Sequence, residues 1–170
     1  MNADPSPAGP ADASGVSLRP ETAADERFLF EVYASTRANE MKSSGLPPAQ
    51  QELFLQNQFA LRRAHYARVF PHASRSIVVR QGRDAGVLTV NRDSDEIRVV
   101  DLALLPRYCG HGIGSGLLKA LLDEARAAGK PVRLRVRKDN AARQLYLRLG
   151  FAPTGDHDLY LDLEWRANRP

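Results

Sequence analysis

The sequence predicts a mixed α/β fold of the α+β class, on three observations. Apolar residues recur at helical spacing before Phe70, short strand-like runs separated by turn residues fill 76 to 105, and helix and strand patterns alternate after Gly112. With 170 residues, 43% of them hydrophobic, the chain is long enough for one sizeable core and short for two. The expectation is a flexible tail over 1–15 and a single domain over 16–170.

Apart from Met1 and Asn2, residues 1 to 15 are Ala, Pro, Ser, Gly and Asp, too little apolar surface to offset ordering. Val16-Ser17-Leu18-Arg19 reads as a strand stopped by Pro20, and Thr22 or Asp25 as the cap of the helix carrying Phe28, Leu29, Val32, Tyr33 and Thr36. A second helix opens after Pro47-Pro48, carries Leu55, Phe59, Tyr66 and Phe70 on one side, and stops at Pro71. Ser76 to Arg80 and Ala85 to Asn91, joined by the turn 81–84, form a hairpin. After Asp93-Ser94-Asp95 comes a central strand, Glu96 to Leu105, closed by Pro106.

From Gly112 the residues Ile113, Leu117, Leu118, Leu121, Leu122 and Ala125 form an amphipathic helix that Gly129 and Pro131 end. Val132, Leu134 and Val136 alternate with Arg133, Arg135 and Arg137, which is a strand. A further helix starts near Asn140, carries Ala142, Leu145, Tyr146 and Leu149, and stops at Gly150, and the closing strands run from Phe151 and over Leu159 to Trp165.

Composition excludes several functions. Cys109 is the sole cysteine, so there is no intramolecular disulfide and no cysteine-based zinc site, and no metal is expected. No apolar run approaches the length of a membrane span, and nothing near Met1 reads as a signal peptide, which makes a cytoplasmic protein without membrane contact the expectation. The formal charge of +4 rests on twenty arginines and four lysines. That excess fits an anionic ligand and equally fits arginine as the ordinary surface cation. The arginines are scattered without interleaved aromatics, so no nucleic acid is expected.

The chemistry concentrates in Pro106-Arg107-Tyr108-Cys109-Gly110-His111-Gly112-Ile113-Gly114-Ser115-Gly116, which joins the central strand directly to a helix. Glycines at 110, 112 and 114 permit unusual dihedrals and remove β-carbons that would hold a ligand away. The first N–H groups of the helix have no partner within it and the dipole is positive there, so the natural occupant is a phosphate or pyrophosphate. A P-loop would need a lysine after the last glycine, and here Ser115 follows Gly114. A dinucleotide turn of the Gly-x-Gly-x-x-Gly type fails from either start, because Ser115 or Leu117 holds its last position.

Together, the run Leu102-Ala103-Leu104-Leu105-Pro106, the turn from Cys109 to Gly114 and the helix start Ser115-Gly116-Leu117-Leu118 resemble the acetyl-CoA motif of the GNAT N-acetyltransferase superfamily, Gln/Arg-x-x-Gly-x-Gly/Ala. Asn140 to Phe151 is similar to its second motif, Asn-x-x-Ala-x-x-Leu-Tyr-x-x-x-Gly-Phe. The likeness covers about residues 16 to 165, and it departs at Cys109, where the family usually has Gln or Arg. Backbone amides provide most of such a cradle, and Arg107 is a candidate to compensate for the missing side chain.

The resemblance implies a central mixed, mostly antiparallel sheet flanked by helices on both faces, and direct transfer of acetyl from acetyl-CoA to a primary amine of a small molecule, amino acid or peptide. The alternative is a non-catalytic acyl-CoA sensor. It implies a cofactor site at Leu102, Leu104, Cys109, Gly110, His111, Gly112, Ile113, Gly114, Ser115, Asn140, Arg143 and Tyr146. Tyr146 stands where relatives assist departure of the thiolate, or it serves packing. Asp101 is a candidate base or ammonium ligand, or an ion-pair partner of a nearby arginine. Strand alternation puts Asp101 and Leu104 on opposite faces unless the strand is bulged. Glu96, His65 and His72 are weaker base candidates. Arg135, in the Arg133-Arg135-Arg137 face, either binds an acceptor carboxylate or is solvated or paired with acidic neighbours. Superfamily members are often homodimers.

Overall fold

The computed structural model describes residues 15–167. The tail expected over 1–15 therefore lies, but for Gly15, outside the described residues. Seven strands hydrogen-bond in the order β1-β2-β3-β4-β5-β7-β6. They are β1 (Val16–Pro20), β2 (Ser74–Arg80), β3 (Arg83–Arg92), β4 (Ile97–Leu104), β5 (Val132–Arg137), β6 (Ala152–Asp156) and β7 (Tyr160–Trp165). The sheet is mixed and mostly antiparallel, with β4 and β5 its parallel pair. Among the described residues five α-helices accompany it: α1 (Glu26–Thr36), α2 (Ala38–Ser43), α3 (Pro48–Val69), α4 (Ile113–Ala128) and α5 (Arg143–Arg148).

The described residues form two compact units. The first comprises those through Leu88 together with Ala103–Tyr108. Its core joins Leu29 and Val32 of α1 to Ile77, Val87 and Leu105, with Phe28, Phe59 and Tyr108 packed alongside. A second cluster unites Tyr33, Met41 and Leu55, with Phe30 and Phe59 ring centroids 5.6 Å apart. The β2–β3 hairpin turns on two residues, Gln81 and Gly82, both with positive φ (50° and 74°). That tight turn matches strand twist and extends β3 back to Arg83, where the sequence suggested a four-residue connection.

Arg19 ties the start of this unit together. Its guanidinium donates to both carboxylate oxygens of Asp25 (2.7 and 3.0 Å) and both of Asp84 (2.7 and 3.2 Å). Asp25 also accepts from the Thr22 backbone N–H and hydroxyl, a box that caps the 3-10 turn Ala23–Asp25 leading into α1. The Arg19 hydrogen bonds hold the Asp25 carboxyl well below the usual carboxylate range, against the opposing effect of burial. A carboxyl depressed in the folded state contributes stability above its unfolded pKa, and that contribution is lost as pH falls. Urea midpoints should therefore decline as pH drops from about 5. Asp25→Asn should cost about 1.5–3 kcal/mol at pH 7 and flatten the acid limb; an unchanged acid limb in the variant would remove Asp25 as its source.

The second unit comprises Thr89–Leu102 and the described residues from Cys109. α4 buries Ile113, Leu118, Leu121, Leu122 and Ala125 along one stripe. It ends at Gly129, left-handed at φ 64°, with the Lys130 N–H bonded back to the Ala125 carbonyl at 2.9 Å. β5 alternates as its sequence does: Val132, Leu134 and Val136 are buried and the arginines between them face outward. It pairs antiparallel with β7 from Val132↔Trp165 to Arg137↔Tyr160. Pro153 sits in β6, an end strand of the order, next to a register irregularity between 153 and 155.

On its other side β5 runs parallel to β4, but only from Ile97↔Val132 to Val99↔Leu134. β5 continues to Arg137, yet the ladder to β4 does not extend over Val100–Leu102. The buried/outward alternation of β4 ends at the same point: Ile97 and Val99 are buried, and everything from Val100 to Leu104 is half-buried.

Candidate functional site

After β4 the chain makes a short 3-10 turn at Pro106–Tyr108 and then the glycine turn. Gly110 and Gly112 take left-handed conformations, φ 77° and 78°. A β-carbon on either would meet no heavy atom within 4 Å, so the approach to this backbone is open. Gly112 is the N-cap of α4, and its carbonyl accepts the first intrahelical bond, from Gly116 N–H at 2.9 Å. The N–H groups of Ile113, Gly114 and Ser115 precede that bond and have no place in the helical ladder. Gly114 is expected, with Gly110 and Gly112, to take an unusual conformation. Gly114 instead lies in the first turn of α4 without a positive φ, and a β-carbon there would sit 3.7 Å from Leu145 Cδ2, an ordinary contact. Cys109, Gly110, His111 and Gly112 are exposed, Gly114 and Ser115 half-buried, and Ile113 is buried in the core. This is a helix N-terminus whose first donors lie outside the helical ladder, suited to an anion with several oxygens.

Tyr146 lies on α5, 6% exposed, with its ring edge-on to Phe151 at 5.8 Å. Among the described residues its hydroxyl has no hydrogen-bond partner. Burial, reinforced by the negative charge of Asp101, pushes the phenol up to about 12. The two leading catalytic candidates are thus close enough to feel each other. Asp101 is half-buried on β4, just past the point where β4 and β5 part. Leu102 and Leu104 are half-buried at the end of the same strand, Leu104 within the first unit.

In the second motif, Asn140 Oδ1 accepts the Ala142 N–H at 2.8 Å, fixing the turn into α5, and Arg143 Nη1 donates to the Lys138 carbonyl at 3.3 Å. α5 itself begins at Arg143, three residues later than the sequence suggested, because Asn140 to Ala142 are held in that side-chain-closed turn. Arg107 stacks on Tyr108 (5.1 Å) and lies 3.8 Å from Glu31, with its side chain mostly exposed.

The arginine face of β5 is paired with acids. Arg135 donates from Nε and Nη2 to the two oxygens of Asp162 at 2.7 and 3.1 Å. The Arg135 bonds hold the Asp162 carboxyl down at about 2, aided by His157, whose Nε2 lies 2.8 Å from Oδ2. Arg133 bridges Glu96 and Glu164, both buried, and Arg98 also bonds Glu96. Glu96 is thus a buried ion-pair partner, which removes it from the candidate bases. An acceptor carboxylate at Arg135 would have to compete with Asp162. His65 and His72 are exposed in the first unit. Sequence reasoning missed Arg98, Thr154, His157 and Asp162; the signal was the mirrored alternation of Arg133/Arg135 with Asp162/Glu164, opposite-charge pairs directly across β5 and β7.

A model of the acetyltransferase (GNAT) family matches residues 36–151, more than half of the chain. The chain belongs to that family. Many solved structures share the GNAT fold. They include PaiA N-acetyltransferase from Thermoplasma acidophilum in complex with coenzyme A, at 16% identity and TM-score 0.67, covering 89% of this chain and 98% of that one. An acetyltransferase from Thermus thermophilus aligns at 16% identity and TM-score 0.64, covering 89% and 96%. YncA of Salmonella typhimurium, with its cofactor acetyl-CoA, aligns at 19% identity and TM-score 0.54, covering 92% and 96%. At these identities the likeness concerns the fold. No curated protein matches in sequence. The two GNAT motifs recognised in the sequence fall in the glycine turn with α4 and around α5, both within the matched span. Among the described residues no helix is long and apolar enough to cross a membrane, and no group of His, Cys, Asp and Glu is gathered to hold a metal ion.

Proposed function

We propose that residues 16–170 act as one catalytic domain that transfers acetyl from acetyl-CoA to a primary amine, by direct attack in a ternary complex. The observation that carries this reading is the glycine turn: two left-handed glycines with nothing over them lead into helix N–H groups that the helix does not use. The diphosphate of the co-substrate is the ligand those donors fit. Backbone amides at Cys109–Ser115 hold it, and Asn140 and Arg143 flank it. The pantetheine arm, a chain of amides, runs along β4 at Val100 to Leu102, past the end of its ladder to β5. Positioning supplies most of the rate advantage.

The chemistry is a nucleophilic acyl substitution. The neutral amine nitrogen bonds to the acetyl carbonyl carbon, the carbon–sulfur bond breaks, and sulfur leaves with the electron pair. Asp101 takes the proton released by the amine, directly or through water. Tyr146 donates a hydrogen bond to the departing sulfur. A phenol at about 12 stays protonated throughout the working range. Full transfer from it to a thiolate of pKa about 8.5 would be uphill by roughly 5 kcal/mol. Stabilising the charge on sulfur is therefore its role, and solvent completes the protonation.

Thiol release from acetyl-CoA with a panel of small amines, amino acids and peptides tests the proposal. Amine-dependent release supports it, and a chain that binds acetyl-CoA and protects it from consumption is a sensor. Tyr146→Phe keeps the packing on Phe151 and removes the donor; kcat should fall about 10²-fold or more, with acetyl-CoA affinity nearly unchanged. Equal losses in both would reduce Tyr146 to a packing residue.

A further inference from the structure

A depression of about 160 Å³ on β4, β5, β7 and β6 is lined by Arg98, Arg133, Arg135, Thr154 and Asp162 with two leucines. Arg98 and Arg133 are register partners, and the next pair, Val99↔Leu134, is the last before β4 and β5 part. The depression therefore lies on the last paired residues of β4 and β5, beside the point where the two strands part.

Its three arginines are engaged to different degrees. Arg135 presents a two-pronged bond to Asp162, and Arg133 bridges Glu164 (2.8 Å) and Glu96 (2.5 Å). Arg98 uses only Nε, on a Glu96 carboxylate that Arg133 already holds. Its two Nη groups meet no acceptor among the described residues, and its side chain is 30% exposed. A carboxylate on the Nη pair of Arg98 would meet the two-pronged geometry that guanidinium favours.

We propose that this depression receives the carboxylate of the amine acceptor, with Arg98 as the side chain that binds it, so that the acceptors are small amino acids rather than neutral amines. The inference rests on the acetyl-transfer reading above. A shallow hollow of this size suits a carboxylate on a short carbon chain. The cationic lining also disfavours an ammonium beside it, and so favours the neutral amine that attack requires. Arg133 and Arg135, fixed by their acids, hold the walls.

The test uses pairs of acceptors, each small amino acid with its carboxamide, on the full chain and on Arg98→Met and Arg98→Lys. The wild type should prefer the acid by tenfold or more in kcat/KM. Arg98→Met, which leaves Glu96 paired with Arg133, should raise KM for the acid at least tenfold and bring the acid-to-amide ratio toward one, with KM for acetyl-CoA within twofold. Arg98→Lys should keep part of the preference. Equal use of acid and amide by the wild type, or an Arg98→Met loss shared equally by both, overturns the inference alone. Calorimetry with coenzyme A on the same preparations separates the other failure: no binding, or binding without thiol release from any acceptor, overturns the acetyl-transfer reading and this inference with it.

Discussion

Gly112→Val is expected to weaken coenzyme A binding about 30-fold or more while lowering overall stability only modestly. Gly112 holds φ 78° as the N-cap of α4. A β-branched residue in that region costs about 1–3 kcal/mol, and the chain relieves the strain by moving the turn. The core is spared, because a side chain at 112 would meet nothing within 4 Å. What moves is the direction of the N–H groups that follow. Gly114→Ala is the control two residues on: its β-carbon meets Leu145 at an ordinary 3.7 Å and its backbone is helical, so affinity should stay within a few-fold and stability should not fall. Calorimetry for affinity and urea unfolding for stability give the comparison. A Gly112→Val chain that binds normally would mean the turn's conformation is not what orients the donors.

Gly86→Ala should produce the largest loss of stability, about 3 kcal/mol or more. A β-carbon on Gly86 would lie 2.2 Å from the Ala103 carbonyl oxygen and 2.9 Å from Leu104 Cα, both backbone atoms that no rotamer change can remove. The main chain near the end of β4 must shift to admit a single methyl. Because Val87, Leu105 and Ala103 belong to the core that Leu29 and Val32 complete, the shift spreads into that cluster. A urea midpoint within error of the wild type would show that β4 can move there at little cost.

The parts of the fold legible in the sequence are those whose pattern is local. α4 was plain because Ile113, Leu118, Leu121, Leu122 and Ala125 recur on one side and Gly129 closes the helix. β5 was plain because Val and Leu alternate strictly with Arg. α2 was not seen, since six residues with only Met41 buried carry no periodicity. β3 is buried continuously from Ala85 to Asn91, so no alternation marked its bounds, and the two-residue turn at Gln81-Gly82 was read as longer.

The candidate site divides the same way. Glycines at a strand-to-helix junction announce an anion cradle because backbone geometry makes it, and residue type alone reports where backbone is exposed. The acceptor side depends on pairs such as Arg135 with Asp162 and Arg133 with Glu164, brought together by strand register across more than twenty-five residues of chain. The arginines were visible and their partners were not. Arg98 escaped attention altogether, because its distinction is what Arg133 leaves it to do at Glu96.

The central claim is that the first amides of α4 hold the diphosphate of coenzyme A. Two-dimensional amide NMR of the full chain during titration with coenzyme A tests it most directly. The largest shifts should fall on Gly110 through Ser115, saturate at one equivalent, and be reproduced in part by inorganic pyrophosphate. Shifts that leave those amides unmoved while coenzyme A binds elsewhere, or no shifts at all, would contradict the account.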